Sequence, residues 1–365
     1  MNNNDIFSNE LIKFLHDHSA CEKKTSSEVT YDKFAHDPEF SKMYQSDDEG
    51  VFKKMSAERV EDWSKKIIIN LFREEIRNRG GNNPKVLDIG SGTGFPALYI
   101  SDLVSSVVSY DGSVELQKLA ARNVKTLSLK NVDIVHGTAE KLPFENESFD
   151  IVVMSHFIEF SYNAVECIKE ISRVLKKNGY VIGLSINWKM MINKRLGYLG
   201  EKKILYPHSK AEKKQIQGID YLKYRICKLD PSFEMSFYID CADKFIIPLV
   251  ELINKGYLKL AVEVLRRIED IKIELAICHQ YTDKTILDLY KKGCFEIEAF
   301  HDVRLPITNF LDRLIADEEF RFDFFEDNFE LLTKHMVELT KNTSSEKGFD
   351  MFVVAKKIGV DDIDN

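Results

Sequence analysis

The stretch Val86-Leu87-Asp88-Ile89-Gly90-Ser91-Gly92-Thr93-Gly94 constrains the fold more than any other part of the chain. A short apolar run carries a carboxylate and then opens into three glycines at alternate positions. Glycine reaches positive φ without a Cβ clash and lets a ligand or another backbone approach closely. A strand, a glycine turn and a helix in succession form the nucleotide-cradling corner of a doubly wound α/β sheet. The sequence beyond the corner fits such a sheet. Val86–Ile89 reads as a strand, Pro96–Leu103 as a helix and Val107–Tyr110 as a strand. Ser113 caps a helix running to about Val124, with Leu116, Leu119 and Ala120 on one side. Val132–Val135 is a short strand, and Phe149–Met154 suits a parallel strand buried on both faces. Ala164–Leu175 reads as a helix ended by Lys176-Lys177-Asn178-Gly179, and Tyr180–Ile186 as the next strand. This alternation implies right-handed crossovers and a mostly parallel sheet.

At 365 residues the chain is long for a single domain. Residues 1–60 are polar, with Ile6, Leu11, Phe14 and Leu15 at helical spacing, and read as an N-terminal helical cap. An amphipathic helix over 58–78 leads into a core at 61–187 and is stopped by Gly80-Gly81-Asn82-Asn83-Pro84. After Asn187 the alternation ceases, and 188–281 is expected to be a helical insertion forming a lid. Residues 282–365 complete the core through a helix at Thr282–Lys292 and strands at Cys294–Phe300 and Met351–Ala355, with a helical insert at 302–347. The expected architecture is a Rossmann-like, doubly wound, seven-stranded sheet with an N-terminal helical cap and helical lid insertions.

Net charge is −8 with a pI near 5.7, which argues against nucleic acid or an anionic membrane as the main partner. The six cysteines include no C-x-x-C pair, so a structural zinc site is not expected and free thiols in a reducing compartment are. The sequence MNNNDIFSNE lacks the basic and apolar regions of a secretory signal. No apolar run approaches the ~18 residues of a membrane span. A cytoplasmic location is the expectation.

The frame Gly92-x-Gly94-x-x-Ala97 meets the relaxed dinucleotide fingerprint. Other residues favour S-adenosylmethionine. Asp88 stands immediately before the glycines, where it can hold a cationic aminoacyl group and would repel a pyrophosphate. Asp111, at the end of the second strand, can accept from both ribose hydroxyls of either ligand. The block His136-Gly137-Thr138-Ala139-Glu140-Lys141-Leu142-Pro143-Phe144 follows, and then Ser148-Phe149-Asp150-Ile151-Val152-Val153.

With these residues the chain resembles the class I S-adenosylmethionine-dependent methyltransferases, in their small-molecule and natural-product branch. The resemblance covers about 85–186 and a closing hairpin near 294–300 and 349–356. It implies that the glycine loop binds the methionine part of the cofactor, that the first acid orders its amine, that the second binds ribose, and that the loop after the third strand holds adenine. These roles fall on Asp88, Gly90, Ser91, Gly92, Asp111, Gly112, Thr138, Ala139 and Glu140, with Ser155 closing over the cofactor. Thr138 departs from the family, where an acid is frequent; its hydroxyl can still accept from an amine but without charge assistance. Tyr31-Asp32-Lys33-Phe34-Ala35 resembles an N-terminal segment whose tyrosine, here Tyr31, covers the cofactor in many relatives.

His156 and Glu159, in Ser155-His156-Phe157-Ile158-Glu159-Phe160, are the candidate catalytic groups. His156 can orient or deprotonate an acceptor, or merely shape the pocket; a carboxylate acceptor would need no base. Residues 189–228 hold eleven Lys/Arg against three acids, and 317–327 are acidic and rich in phenylalanine. The two segments either pair with each other as a lid or form a groove for an extended acceptor such as a peptide. The leading reading is methyl transfer to an O or N atom of a small-molecule or peptide acceptor. Nucleic-acid methylation is disfavoured by charge and by the lack of an Asn-Pro-Pro-Tyr or Pro-Cys motif. A non-catalytic cofactor-binding protein and a nicotinamide oxidoreductase are the further alternatives.

Overall fold

The computed structural model describes residues 63–187, 281–303 and 348–359 throughout. It also describes parts of 11–18 and 248–268, strands within 213–242 and 271–279, and a few residues of 331–338. The strands are β1 Lys85–Ile89, β2 Ser106–Asp111, β3 Val132–His136, β4 Phe149–Ser155, β5 Leu175–Ile186, β6 Lys213–Ile216, β7 Ile219–Leu229, β8 Phe233–Ala242, β9 Lys272–His279, β10 Phe295–Val303 and β11 Asp350–Lys357. The helices are α1 Trp63–Arg79, α2 Ala97–Ile100, α3 Val114–Thr126, α4 Ala164–Val174, α5 Leu258–Leu265 and α6 Asp283–Lys292. The chain divides into two compact units, one of 28–194 with 281–365 and one of 1–27 with 195–280.

The first unit is built on a seven-stranded sheet of order β10-β11-β5-β4-β1-β2-β3. Strands β1 to β5 pair in parallel, and β11 runs antiparallel to both β5 and β10. The expected Rossmann-like sheet is therefore the one formed. Strand β1 pairs with β2 on one side and β4 on the other, so chain order reverses beside it. The carboxyl end of β1 is the topological switch point, where such sheets bind ligands.

Successive residues of the central strands serve opposite cores. Val86, Val107, Ile151 and Val153 pack into a cluster with Ile67, Leu71 and Phe72 of α1. Leu87, Val108, Val152 and Met154 pack into another with Ile168 and Ile171 of α4 and Leu289 and Tyr290 of α6. Burial on both faces explains why these strands read as continuous apolar runs. The caps follow the sequence: Ser113 Oγ accepts from Leu116 N at 3.1 Å, and Thr282 forms a capping box with Thr285 ahead of α6.

Two local expectations need correction. Helix α4 ends at Val174, and Lys176–Gly179 lie within β5, with Asn178 at φ +61°. Leu175 is buried and pairs with Phe149 across β4, which draws the chain into the sheet one turn early. Pro96–Leu103 is a one-turn α2 followed by a 3-10 turn at Ser101–Leu103.

The second unit departs further from expectation. The supposed helical insertion contains an antiparallel sheet of order β6-β7-β8-β9, together with α5. Residues Phe233, Met235, Phe237, Ile239 and Cys241 alternate with mostly polar ones, the period of a half-buried strand. Register aligns Tyr224 with Ile239 and Ile239 with Ile273. Ile273 is buried with Leu249, Ala261, Val262 and Leu265 and with Leu11, Phe14 and Leu15. Leu11, Phe14 and Leu15, near the N-terminus, thus belong to this unit's core. Tyr31, the basic side chains of 189–228 and the acidic segment 317–327 lie outside the described residues.

Candidate functional site

Three backbone facts shape the corner after β1. Gly90, Gly92 and Gly94 all have positive φ (+72°, +53° and +108°). A Cβ on Gly90 would lie 2.5 Å from the Phe157 side chain, and one on Gly94 would lie 2.6 Å from that of Leu98. A Cβ on Gly92 would meet only Leu116 Cδ1, at 3.8 Å. Gly90 and Gly94 are thus demanded by packing as well as by backbone, whereas Gly92 presents open space to a ligand.

Asp88 and Asp111 frame this corner. Asp88 is fully buried; its Oδ2 accepts from Ala97 N at 2.9 Å, at the start of α2, and its Oδ1 has no hydrogen-bond partner. Burial drives its carboxyl well above the ordinary carboxylate range; the Ala97 N–H opposes the rise, and the charge of Asp111 adds to it. Asp111 Oδ2 accepts from Gly92 N at 2.9 Å and its Oδ1 from Ser113 N at 2.8 Å, so the second acid holds the glycine loop in place. A carboxylate has about four lone-pair sites, so both oxygens can still accept from a diol.

The other expected cofactor residues divide by what their side chains do. Ser91 is buried, its Oγ 2.6 Å from Ser109 Oγ and receiving Gln117 Nε2 at 3.2 Å; only its backbone can face a ligand. The Gly112 carbonyl accepts from His136 Nε2 at 2.9 Å. Thr138 has an exposed side chain, and its carbonyl accepts from Tyr110 Oη at 3.0 Å. Ala139 is buried in the core. Glu140 is already engaged: its Oε1 accepts from Tyr162 N at 2.9 Å and Asn163 N at 3.2 Å, just before α4. That arrangement ties the loop after β3 to a helix start and takes Glu140 away from an adenine role. Arg173 pins the same loop by donating to the carbonyls of Phe144 at 2.8 Å and Leu142 at 3.0 Å. Ser155 is buried at the end of β4.

The two candidate catalytic groups differ in reach. His156 follows β4 at φ +51° and has a side chain 32% exposed. Glu159 is fully buried: its Oε1 accepts from Ile186 N at 2.5 Å, and its Oε2 has no hydrogen-bond partner. Glu159 therefore cannot touch a substrate in this state. Its Oε1 lies 3.6 Å from His156 Nδ1, and Asp350 Oδ2 lies 3.6 Å from His156 Nε2. Asp350 and Phe157 were not singled out from the sequence. Phe157 was hidden because nothing local marks it as the lid over Gly90. Asp350 arrives from β11, far along the chain. Among the described residues no group of three His, Cys, Asp or Glu could hold a metal ion, and no helix is long and apolar enough to cross a membrane.

The family model described as a methyltransferase domain matches residues 87–183. Residues 87–183 thus resemble a methyltransferase domain. An uncharacterized methyltransferase of Bacillus subtilis (strain 168), YcgJ, is 35% identical over 95 residues, covering 26% of this chain and 38% of that protein. A demethylmenaquinone methyltransferase of Bacillus cereus (strain ATCC 10987 / NRS 248) is 32% identical over 126 residues, 34% of this chain and 53% of that protein. The chain thus spans about half, or less, of the length of these curated relatives. The crystal structure of an S-adenosylmethionine-dependent methyltransferase from Clostridium acetobutylicum ATCC 824 aligns with a TM-score of 0.47 at 13% identity, over 85% of this chain and 97% of that one. The matched segment takes in the glycine corner, Asp88, Asp111, the loop after β3 and His156. It stops short of Asp350 and of the whole second unit.

Proposed function

We propose that this chain is an S-adenosylmethionine-dependent methyltransferase acting on an O or N atom of a small-molecule or peptide acceptor. The observation that carries the reading is Asp88: a fully buried acid at the switch point with one oxygen bonded to Ala97 and the other without a donor. A buried acceptor left unsatisfied costs about 1–3 kcal/mol, and an ammonium group, or a water held by one, would supply the missing donor. A pyrophosphate would bring no donor to that oxygen. Asp88, the Gly90–Gly92 backbone and Asp111 would hold the cofactor's aminoacyl and ribose parts. Thr138 and Ala139 would border its base, and Tyr31 and Ser155 would close over it.

When bound, the cofactor supplies a methyl group on a positively charged sulfur. The protein's own work is to position an acceptor in line with it, and positioning supplies much of the acceleration. His156 stands at the neighbouring strand end with part of its ring exposed, where an acceptor would approach. Thermal unfolding tests the reading. Saturating S-adenosylhomocysteine should raise Tm, since a ligand at 100 times its Kd adds about 2.7 kcal/mol, while NADH should not. A rise with NADH alone would overturn the assignment in favour of a dinucleotide enzyme.

A further inference from the structure

Three titratable groups from two parts of the first unit, the segment after β4 and the start of β11, meet just past the carboxyl ends of β4 and β5. His156 N donates to Leu184 O at 2.8 Å, fastening the residue to β5. Its ring nitrogens lie 3.6 Å from Glu159 Oε1 and 3.6 Å from Asp350 Oδ2, and both carboxylates have fully buried side chains. Glu159 is fixed by Ile186 N, and Asp350 sits in β11 opposite Ile186 of β5. Tyr290 of α6 faces Glu159, with burial the main cause and that carboxylate the second holding its phenol well above the ordinary range. The phenol is therefore neutral and offers no counter-charge. Two carboxylates buried together are costly without a cation, and the imidazole, with a carboxylate 3.6 Å from each ring nitrogen, can become one. With a carboxylate facing each ring nitrogen, the geometry suits an imidazolium bridge better than a free proton acceptor.

The bridge leads directly to the cofactor corner. The residue after His156 is Phe157, whose side chain fills the space where a Cβ on Gly90 would stand. We propose that Asp350 is a positioning residue: with Glu159 it holds His156 as a charged bridge, which seats Phe157 against the glycine loop and so sustains cofactor affinity. The proposal rests on the cofactor reading above. It assigns His156 a clamp in place of the base that the sequence suggested. Loss of the His156 proton leaves two facing buried carboxylates and loosens the clamp.

The test is an NMR titration of ring-labelled His156 in the full chain, alongside S-adenosylhomocysteine affinity over the same pH range. The wild-type midpoint should lie above the ordinary histidine value of about 6.5 and fall by roughly 1 unit in Asp350→Asn. The ratio of His156→Gln to wild-type Kd should be about tenfold or more below the wild-type midpoint and should shrink above it. A wild-type midpoint below about 6.5, a midpoint unmoved in Asp350→Asn, or a Kd ratio that does not change with pH would overturn the proposal. Should Asp350→Asn fail to fold, the wild-type midpoint and the His156→Gln ratio still decide. If wild-type protein bound no S-adenosylhomocysteine at any pH, the cofactor reading would fail instead, whatever the imidazole does.

Discussion

At the scale of single residues, the three glycines of the corner are not equivalent. Gly92→Ala should cost about 1–2 kcal/mol from the positive φ alone, because the added methyl meets only a contact at 3.8 Å. Gly90→Ala adds a clash at 2.5 Å with Phe157 and should cost clearly more. Urea denaturation of the two variants checks the order. Asp88 yields a pH prediction. Its carboxyl is held well above the ordinary range by burial, so this group favours the folded state at low pH, and that contribution is lost as pH rises through the raised value. Binding the ligand's ammonium group favours the ionised form. S-adenosylhomocysteine affinity should therefore rise with pH through the Asp88 titration, and binding there should release a proton. Calorimetry in two buffers of different ionisation enthalpy reads that proton directly. Asp88 and the glycines stand out in the sequence because one local motif carries them, and Asp111 because it ends the strand that follows. For Glu140 the sequence left open that a carboxylate able to meet an adenine amine also suits the N–H groups of Tyr162 and Asn163 before a helix, which its Oε1 accepts.

At the scale of elements, α4 stabilises the loop that follows β3. Arg173 donates to two loop carbonyls and pairs with Glu170, whose Oε2 accepts from Leu142 N at 2.8 Å. Arg173→Ala should cost about 2 kcal/mol and weaken cofactor binding several-fold, as measured by denaturation and calorimetry. Glu170 is held below the ordinary carboxylate range, first by its hydrogen bond to Arg173. Its contribution is complete above the unfolded value and is lost as pH falls through the lowered one, so the stability gap between wild type and Glu170→Gln should close below about pH 4. The strands of the seven-stranded sheet were legible because burial on both faces forces long apolar runs. The β6–β9 sheet was not, because basic residues interrupt the apolar positions of β6 and β7 and blur the two-residue period. The run Phe233 to Cys241 held the signal.

At the scale of the whole molecule, three separate apolar clusters stand in two compact units, two in the first and one in the second. Leu15 is fully buried with α5 and β9. Leu15→Ala should cost about 2–5 kcal/mol, and hydrogen exchange should quicken in α5 and β9 rather than in β1 and β4. The pairing of the chain's beginning with a segment after the Rossmann-like strands could not be read from local patterns, because Leu11, Phe14 and Leu15 show an apolar face but not what covers it. His156 with Asp350 was hidden for the same reason. The central claim is that two acids at adjacent strand ends of this sheet grip the S-adenosylmethionine cofactor, Asp88 through the cofactor's ammonium group and Asp111 through its ribose hydroxyls. Isothermal titration of S-adenosylhomocysteine into wild type, Asp88→Asn and Asp111→Asn tests it most directly: the account predicts binding to wild type and at least about a tenfold loss in each variant, about 1.4 kcal/mol, whereas equal affinity in all three, or no binding to wild type, would contradict it.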